Sequence, residues 1–369
     1  MVKSGMVATL ADSVSQSFHI SRSLGYVGID LGTYGLKIAQ VRKTGQKLTL
    51  ERAHCVPYRQ PLDIANRSLA IDVILESLDQ AWSPTGRWFP DEAACLLPLP
   101  LMFLRTIDLP TTSSEDQQRM IESELSHDAR QSAGPMIFEC WNEGMGEARP
   151  TAASVLGASQ GLVEELAESL YERGLACEVL DGHPHVLSRL TSLDRLGNPG
   201  GPIAVIDWGY ESSLFVIARH GVPVYTRPLR DCGFRNVSEA LCESLNLDAR
   251  EVQYLLSSAQ NSPEDSPLRR EIQEMVFDLA ATPLRRFEEE LNRTLTFLRQ
   301  QRTPVEPAMI CLTGGGALTP GVVDWVTQST GIMARLWEFP SVESSSPVQR
   351  IPVSLLSSAI ALSSLRFES

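Results

Sequence analysis

At 369 residues, 43% of them hydrophobic and 21% charged, the chain is long enough for two or three domains, each with a core of its own. Its 45 acidic against 32 basic side chains leave a net charge of −13, which argues against a nucleic-acid partner, since that needs clustered Lys and Arg. Seven cysteines, at 55, 95, 140, 177, 232, 242 and 311, contain no Cys-x-x-Cys pair, so neither a disulfide framework nor a zinc site is indicated and a reducing cytoplasm is the simplest compartment.

Residues 1–24 carry Met6, Leu10, Val14 and Phe18 at four-residue spacing with one charge between them, Asp12. They read as a leader that docks on its own first domain or stays disordered, with a membrane-surface or partner helix as the alternative. No segment reaches the ~18 apolar residues that cross a bilayer, and the N-terminus lacks the apolar core of a signal peptide. The run Tyr26-Val27-Gly28-Ile29-Asp30-Leu31-Gly32-Thr33-Tyr34-Gly35-Leu36-Lys37-Ile38 reads as strand, tight turn and strand. A third strand is expected over 48–56, a helix over 69–81, a loop over 83–90 and a strand over 91–97. Near Pro98 the chain leaves its first domain for an insertion reaching about Cys177, with a helix over 114–127, strands over 136–141 and 151–158, and a closing helix over 161–173. In that helix Leu162, Leu166 and Leu170 form one stripe, while Glu164, Glu165, Glu168 and Glu172 form a solvated face.

A helix is expected over 181–190. Within it His183-Pro184-His185 lacks a third ligand at metal spacing and reads as a helix start rather than a metal site. After a Gly/Pro loop, 191–202, the run Ile203-Ala204-Val205-Ile206-Asp207-Trp208-Gly209-Tyr210-Glu211-Ser212-Ser213-Leu214 repeats the strand–turn–strand pattern. A loop is expected over 257–266 and a helix over 284–300 with Leu284, Phe287, Leu291, Leu295 and Leu298 inward. Next come a buried-looking strand and glycine triplet, Met309 to Gly316, a further loop over 341–352 and a small-residue internal helix over 353–366.

The two Asp-x-Gly turns and the glycine triplet together suggest a nucleotide cleft. Gly32 and Gly209 allow close approach of backbone to phosphate oxygens. Asp30 and Asp207 would act through Mg²⁺ and its waters, because magnesium keeps several waters and takes one or two carboxylates beside the phosphates. Lys37, returning on the second strand of its hairpin, is placed to neutralise phosphate charge. No Gly-Lys-Ser/Thr follows the triplet, so this is not a Walker loop.

On these residues the chain resembles the actin-like ATPase superfamily. Gly28 to Thr33 is similar to its first phosphate motif, Val205 to Gly209 to its second, and Leu312 to Gly316 to its adenosine motif. Within the superfamily the chain most resembles the PilM family of type IV pilus proteins, through Leu97 to Pro100, Phe103 to Pro110, Val155 to Ser159 and Gly174 to Asp181. The resemblance implies an α/β fold of two RNase H-like halves around a nucleotide cleft. Its first half would be 25–97 with 178–195, its small α+β insertion 98–177 and its second half 196–369.

The resemblance further implies ATP and Mg²⁺ as ligands, with Asp30, Gly32, Thr33, Tyr34, Lys37, Asp207, Gly209, Tyr210, Glu211, Ser212, Gly314, Gly315 and Gly316 at the nucleotide. Glu290 and Arg293 match polar positions of the family's adenosine pocket, and either touch nucleotide or are surface charges. Tyr34 and Gly35 replace the usual Ser run, Trp208 and Tyr210 flank the second turn glycine, and Asp231-Cys232-Gly233-Phe234 replaces a Gly-Gly pair, so binding is expected rather than fast hydrolysis. The implied role is a cytoplasmic adaptor, peripheral at the inner membrane, that holds the cytoplasmic tail of a PilN-like protein in a groove within about 98–180. Self-association, as in actin relatives, stays open. A pseudo-ATPase scaffold and an FtsA-like division protein are the alternatives. A sugar or acetate kinase would need a base beside an acceptor pocket, for which Asp181 is the one candidate.

Overall fold

The structure is a computed structural model and describes residues 23–82, 92–110, 112–131, 134–143, 152–193, 200–301, 304–339 and 351–368. The leader stripe from Met6 to Phe18 and the expected loop over 83–90 lie outside these residues, as does most of the loop over 341–352.

Two five-stranded sheets share one topology. In the first, β1 (Val27–Leu31), β2 (Gly35–Thr44) and β3 (Lys47–Pro57) run antiparallel, then β4 (Glu92–Leu96) and β8 (Ala176–Asp181) add in parallel beside β1. In the second, β9 (Ile203–Trp208), β10 (Ser213–Arg219) and β11 (Val222–Leu229) repeat the meander, and β12 (Met309–Thr313) and β13 (Ala334–Leu336) add in parallel beside β9. Their central strands are apolar on both faces, as strands covered on both sides must be.

Alternation along those strands assigns the layers. Val27, Ile29 and Leu31 point to α1 (Arg67–Trp82) and α3 (Gln160–Glu172), while Ala39, Val41, Ala94 and Leu96 face the middle of the molecule. There α4 (His183–Leu193) and α10 (Ser357–Ser364) lie between the two sheets, meeting Ile203, Val205, Leu214 and Val216 of the second. The second sheet's other face packs on α5 (Phe234–Leu245), α6 (Ala249–Gln260), α7 (Pro267–Leu279), α8 (Ala281–Arg299) and α9 (Val322–Thr330). A separate three-stranded antiparallel sheet, ordered β5 (Phe103–Asp108), β7 (Ala152–Ser159), β6 (Met136–Glu143), carries α2 (Ser114–Gln131) against Ile107, Ala153 and Val155.

Two elements depart from the sequence reading. The helix expected to close the insertion, α3, buries Leu162, Leu166 and Leu170 in the first sheet's core. The loop expected from 257 begins four residues later, because Val252, Leu256 and Ala259 continue a buried helical stripe to Gln260. Among the described residues no helix is long and apolar enough to cross a membrane.

Candidate functional site: an interlobe cleft

Between the sheets lies a cavity of about 320 Å³, within the size range of small-molecule sites. The β1–β2 turn contributes Asp30, Gly32, Thr33, Tyr34 and Lys37; the β9–β10 turn contributes Asp207, Gly209, Tyr210 and Ser212; the loop after β12 contributes Gly314, Gly315 and Gly316. Three expected residues stand apart from this lining. Glu211 turns aside to pair with Arg235 at 3.0 Å. Glu290, on α8, is ion-paired with Arg227 of β11 at 3.3 Å and with Arg293, whose side chain is exposed. The α8 pair is therefore a sheet-to-helix tie and not part of the cavity wall, because the face of α8 carrying Glu290 meets β11.

Register explains the convergence. Asp30 sits opposite Lys37 in the β1–β2 ladder, and their side chains pair at 3.1 Å. Asp207 sits beside Thr313 in the parallel β9–β12 ladder, so the strand that presents the second carboxylate also carries the glycine triplet into place. Gly314 adopts φ +86°, and a Cβ there would collide with the Asp207 carboxylate and stand 2.7 Å from the Trp208 carbonyl. A Cβ on Gly315 would meet nothing within 4 Å, so this backbone faces open cavity. The second turn is held from behind by α5, whose first amides donate to the Gly209 and Tyr210 carbonyls at 2.9 Å. Trp208 points away from the cleft, stacked on Phe287 at 4.3 Å between ring centroids, and so does not obstruct it.

The floor is electrostatically tense. Burial, with help from the Asp30 charge and against Lys37, pushes the Asp207 carboxyl up to about 6. Burial alone would lower the Lys37 ammonium, but Asp30, Cys55 and Asp207 outweigh it and raise its pKa. His183 begins α4 and is 6% exposed. Burial holds it down at about 4, so the imidazole is neutral at pH 7, and its Nδ1 has no hydrogen-bond partner although the residue lines the cavity.

Sequence reasoning alone takes that histidine for a helix start. It also misses the neutral wall supplied by α6, namely Gln253, Ser257 and Gln260 with the following Asn261, and the unpartnered, 4% exposed Thr319 hydroxyl. No sequence signal marks His183, since its place two residues after Asp181, at the end of a strand in the Asp30-bearing sheet, serves a helix start equally well. Other buried polar atoms, such as Tyr58 Oη and Ser188 Oγ, also lack a partner, but His183 Nδ1 and the Thr319 hydroxyl belong to residues that line the cavity, where a ligand or ordered water can complete them. A nucleotide fits them: neutral groups and open backbone at one end, and a lysine and hairpin turns at the other. Among the described residues no group of three or more His, Cys, Asp or Glu could hold a metal ion, so a Mg²⁺ ion here would rely on the two carboxylates, water and phosphate.

A family model described as type IV pilus assembly protein PilM matches residues 28–362. Among solved structures, the chain is similar to one described as a PilM–PilN type IV pilus biogenesis complex, with 22% identity and a TM-score of 0.67, covering 94% of this chain and 99% of that one. It is also similar to the ethanolamine utilization protein EutJ from Carboxydothermus hydrogenoformans, with 13% identity, a TM-score of 0.50, and coverage of 92% and 89%. No curated protein matches the chain. The fold is the actin-like ATPase fold, with mixed sheets and helices arranged as the sequence resemblance implied.

Proposed function

The chain belongs to the PilM family of type IV pilus assembly proteins, and on that premise we propose that it is an ATP-binding adaptor of a type IV pilus or related type II secretion machine. The observation that carries the nucleotide half of this reading is the convergence of both Asp-x-Gly turns and the Gly314–Gly316 loop on one cavity. In it, Lys37 and the turn amides of Gly32, Thr33, Gly209 and Ser212 hold the phosphates. Asp30 and Asp207 hold the waters of Mg²⁺, which when bound neutralises phosphate charge. The nucleoside lies along Gly314, Gly315, Leu318, Thr319 and the neutral face of α6. The His183 Nδ1, as a neutral acceptor, takes a hydrogen bond from water at the phosphate end, which favours at most slow hydrolysis in the absence of a stronger base.

The partner half rests on family membership and on the likeness to a PilM–PilN complex. A short cytoplasmic tail of a PilN-like inner-membrane protein docks within residues 98–180, between the first half and the insertion, and so keeps a cytoplasmic protein at the membrane. If ATP shifts the hinge between the halves and the tail groove changes with it, tail affinity and ATP affinity are coupled reciprocally.

Calorimetry with ATP and Mg²⁺ tests the nucleotide claim: micromolar binding by the wild type is expected to be lost in Asp30→Ala combined with Asp207→Ala. A folded wild type that takes up no ATP leaves a pseudo-ATPase scaffold. One observation favours that second reading, the Lys37–Asp30 pair that already satisfies the lysine.

A further inference from the structure

The two halves meet differently at the two ends of the cleft. At the base they share a continuous apolar core around α4 and α10. At the mouth they touch through turn residues and the start of α6. The Tyr34 ring, on the first turn, lies 4.5 Å from the Tyr210 ring on the second, tilted by 40°. The Tyr34 hydroxyl donates to Gln253 Oε1 at 2.9 Å, the Glu211 amide donates to Thr33 Oγ1 at 3.3 Å, and the Arg250 guanidinium donates to the Arg59 carbonyl at 3.3 Å. These contacts all join the first half to the second, across the opening of the cavity that both tyrosines line.

We propose that Tyr34 and Tyr210, with Gln253, form a latch that holds the cleft shut without ligand and sets the rate at which a nucleoside triphosphate enters and leaves. The proposal rests on the nucleotide reading above for its ligand, and on the contacts alone for its mechanics. A continuous core at one end makes the base a hinge, since packed interiors resist separation. A few aromatic and neutral hydrogen-bonded contacts at the other end break one at a time and re-form, which suits a gate. Both tyrosines are needed for this role, because serine at position 34 could neither stack on Tyr210 nor reach Gln253 from the turn. The Tyr34–Tyr210 and Tyr34–Gln253 contacts involve no ion pair, so the fold-change caused by removing them is the same at low and high salt, unlike that of a gate built from exposed charges.

A latch present in both the empty and the loaded states slows entry and exit together. Its removal therefore speeds entry as well as exit, which separates it from a simple ligand contact, whose loss speeds exit alone. The experiment is stopped-flow exchange of a fluorescent ATP analogue on the full chain, wild type against Tyr34→Ala, Tyr210→Ala and Tyr34→Phe, at two salt concentrations. Both rate constants are expected to rise on the order of tenfold in Tyr34→Ala, matching the loss of one aromatic pair and one hydrogen bond, and by less in Tyr210→Ala, which loses the aromatic pair alone. Tyr34→Phe, which keeps the stack and loses the Gln253 bond, is expected to fall between wild type and Tyr34→Ala.

In parallel, hydrogen exchange of ligand-free protein follows peptides covering residues 31–36 and 209–212, where the Glu211 amide reports directly on turn-to-turn contact. Faster exchange in the alanine variants supports the latch even if no ATP analogue binds, in which case the nucleotide reading falls and the latch stands. Unchanged ligand-free exchange, or a change confined to the exit rate, overturns the latch.

Discussion

Gly314 and Gly315 are neighbours in one loop, yet a methyl group does different things at each. Gly314 has φ +86° and packs on the Asp207 carboxylate, so Gly314→Ala meets both a strained backbone and a steric collision, costing about 2 kcal/mol or more of stability. Gly315 has ordinary helical angles, φ −66° and ψ −38°, and open space around it. Gly315→Ala is expected to leave the unfolding midpoint within about 0.5 kcal/mol of wild type while weakening ATP binding on the order of tenfold, since the new Cβ stands in the ligand's space. Thermal melts with a binding isotherm on each variant check the split, and equal loss of stability in both would refute it. The triplet is legible in the sequence only together with the two Asp-x-Gly turns, because three glycines by themselves serve equally well as a flexible connection. Which glycine serves folding and which serves the cavity is not legible, since that depends on backbone angles fixed by the β9–β12 register. His183 is hidden for a related reason: its neighbour Pro184 and its place after Asp181 announce a helix start equally well whether or not the ring points into a cavity.

At the scale of elements, α10 shows why small residues are needed at the centre. All eight of its residues are buried, and Gly28 of β1 lies so close that a Cβ there would collide with the Ala359 carbonyl. Ser363 resolves the polar cost of a helix squeezed between sheets, accepting from the Val41 amide at 2.9 Å and donating to the Tyr26 carbonyl at 2.6 Å. Gly28→Ala pushes backbone against backbone, where no flexible side chain can yield, and is expected to cost about 1–3 kcal/mol. Because α10 contacts both sheets, urea unfolding should shift to lower denaturant as one transition, and two separated transitions would show that α10 does not unite the halves. The sequence reveals α10 as internal through its small, uncharged residues. It does not reveal that α3 belongs to the first sheet: an amphipathic helix declares that one face is buried but not which sheet buries it. Nor can periodicity place Glu290, since α8 has a broad apolar face and the residue lies at its edge, beside a strand rather than a cavity.

For the molecule as a whole, the charged floor of the cleft predicts an unusual balance against pH. Asp207 has a folded pKa of about 6, above its unfolded value near 4. The folded state thus holds that proton more tightly, and stability from this group is lost as pH rises from about 4 to about 6. His183 runs the other way: its folded pKa of about 4 lies below an unfolded value near 6.5, so stability is lost as pH falls through that same window. Each difference of two or more pH units corresponds to roughly 3 kcal/mol, and neither group acts directly on the other; both respond instead to Asp30 and Lys37. In wild type the two slopes oppose, giving a nearly level contribution from the cleft between about pH 4 and 6. Asp207→Asn removes the falling limb, so its stability, measured by denaturation in magnesium-free and nucleotide-free buffer, should exceed wild type above pH 6 and rise more steeply with pH below it. His183→Gln removes the rising limb and should lose stability relative to its own low-pH value as pH climbs from 4 to 6. Parallel pH profiles for the two variants would refute the balance. Divergent ones would mean that the buried carboxylate is retained at a cost to folding, as expected of a group kept for a ligand rather than for the core.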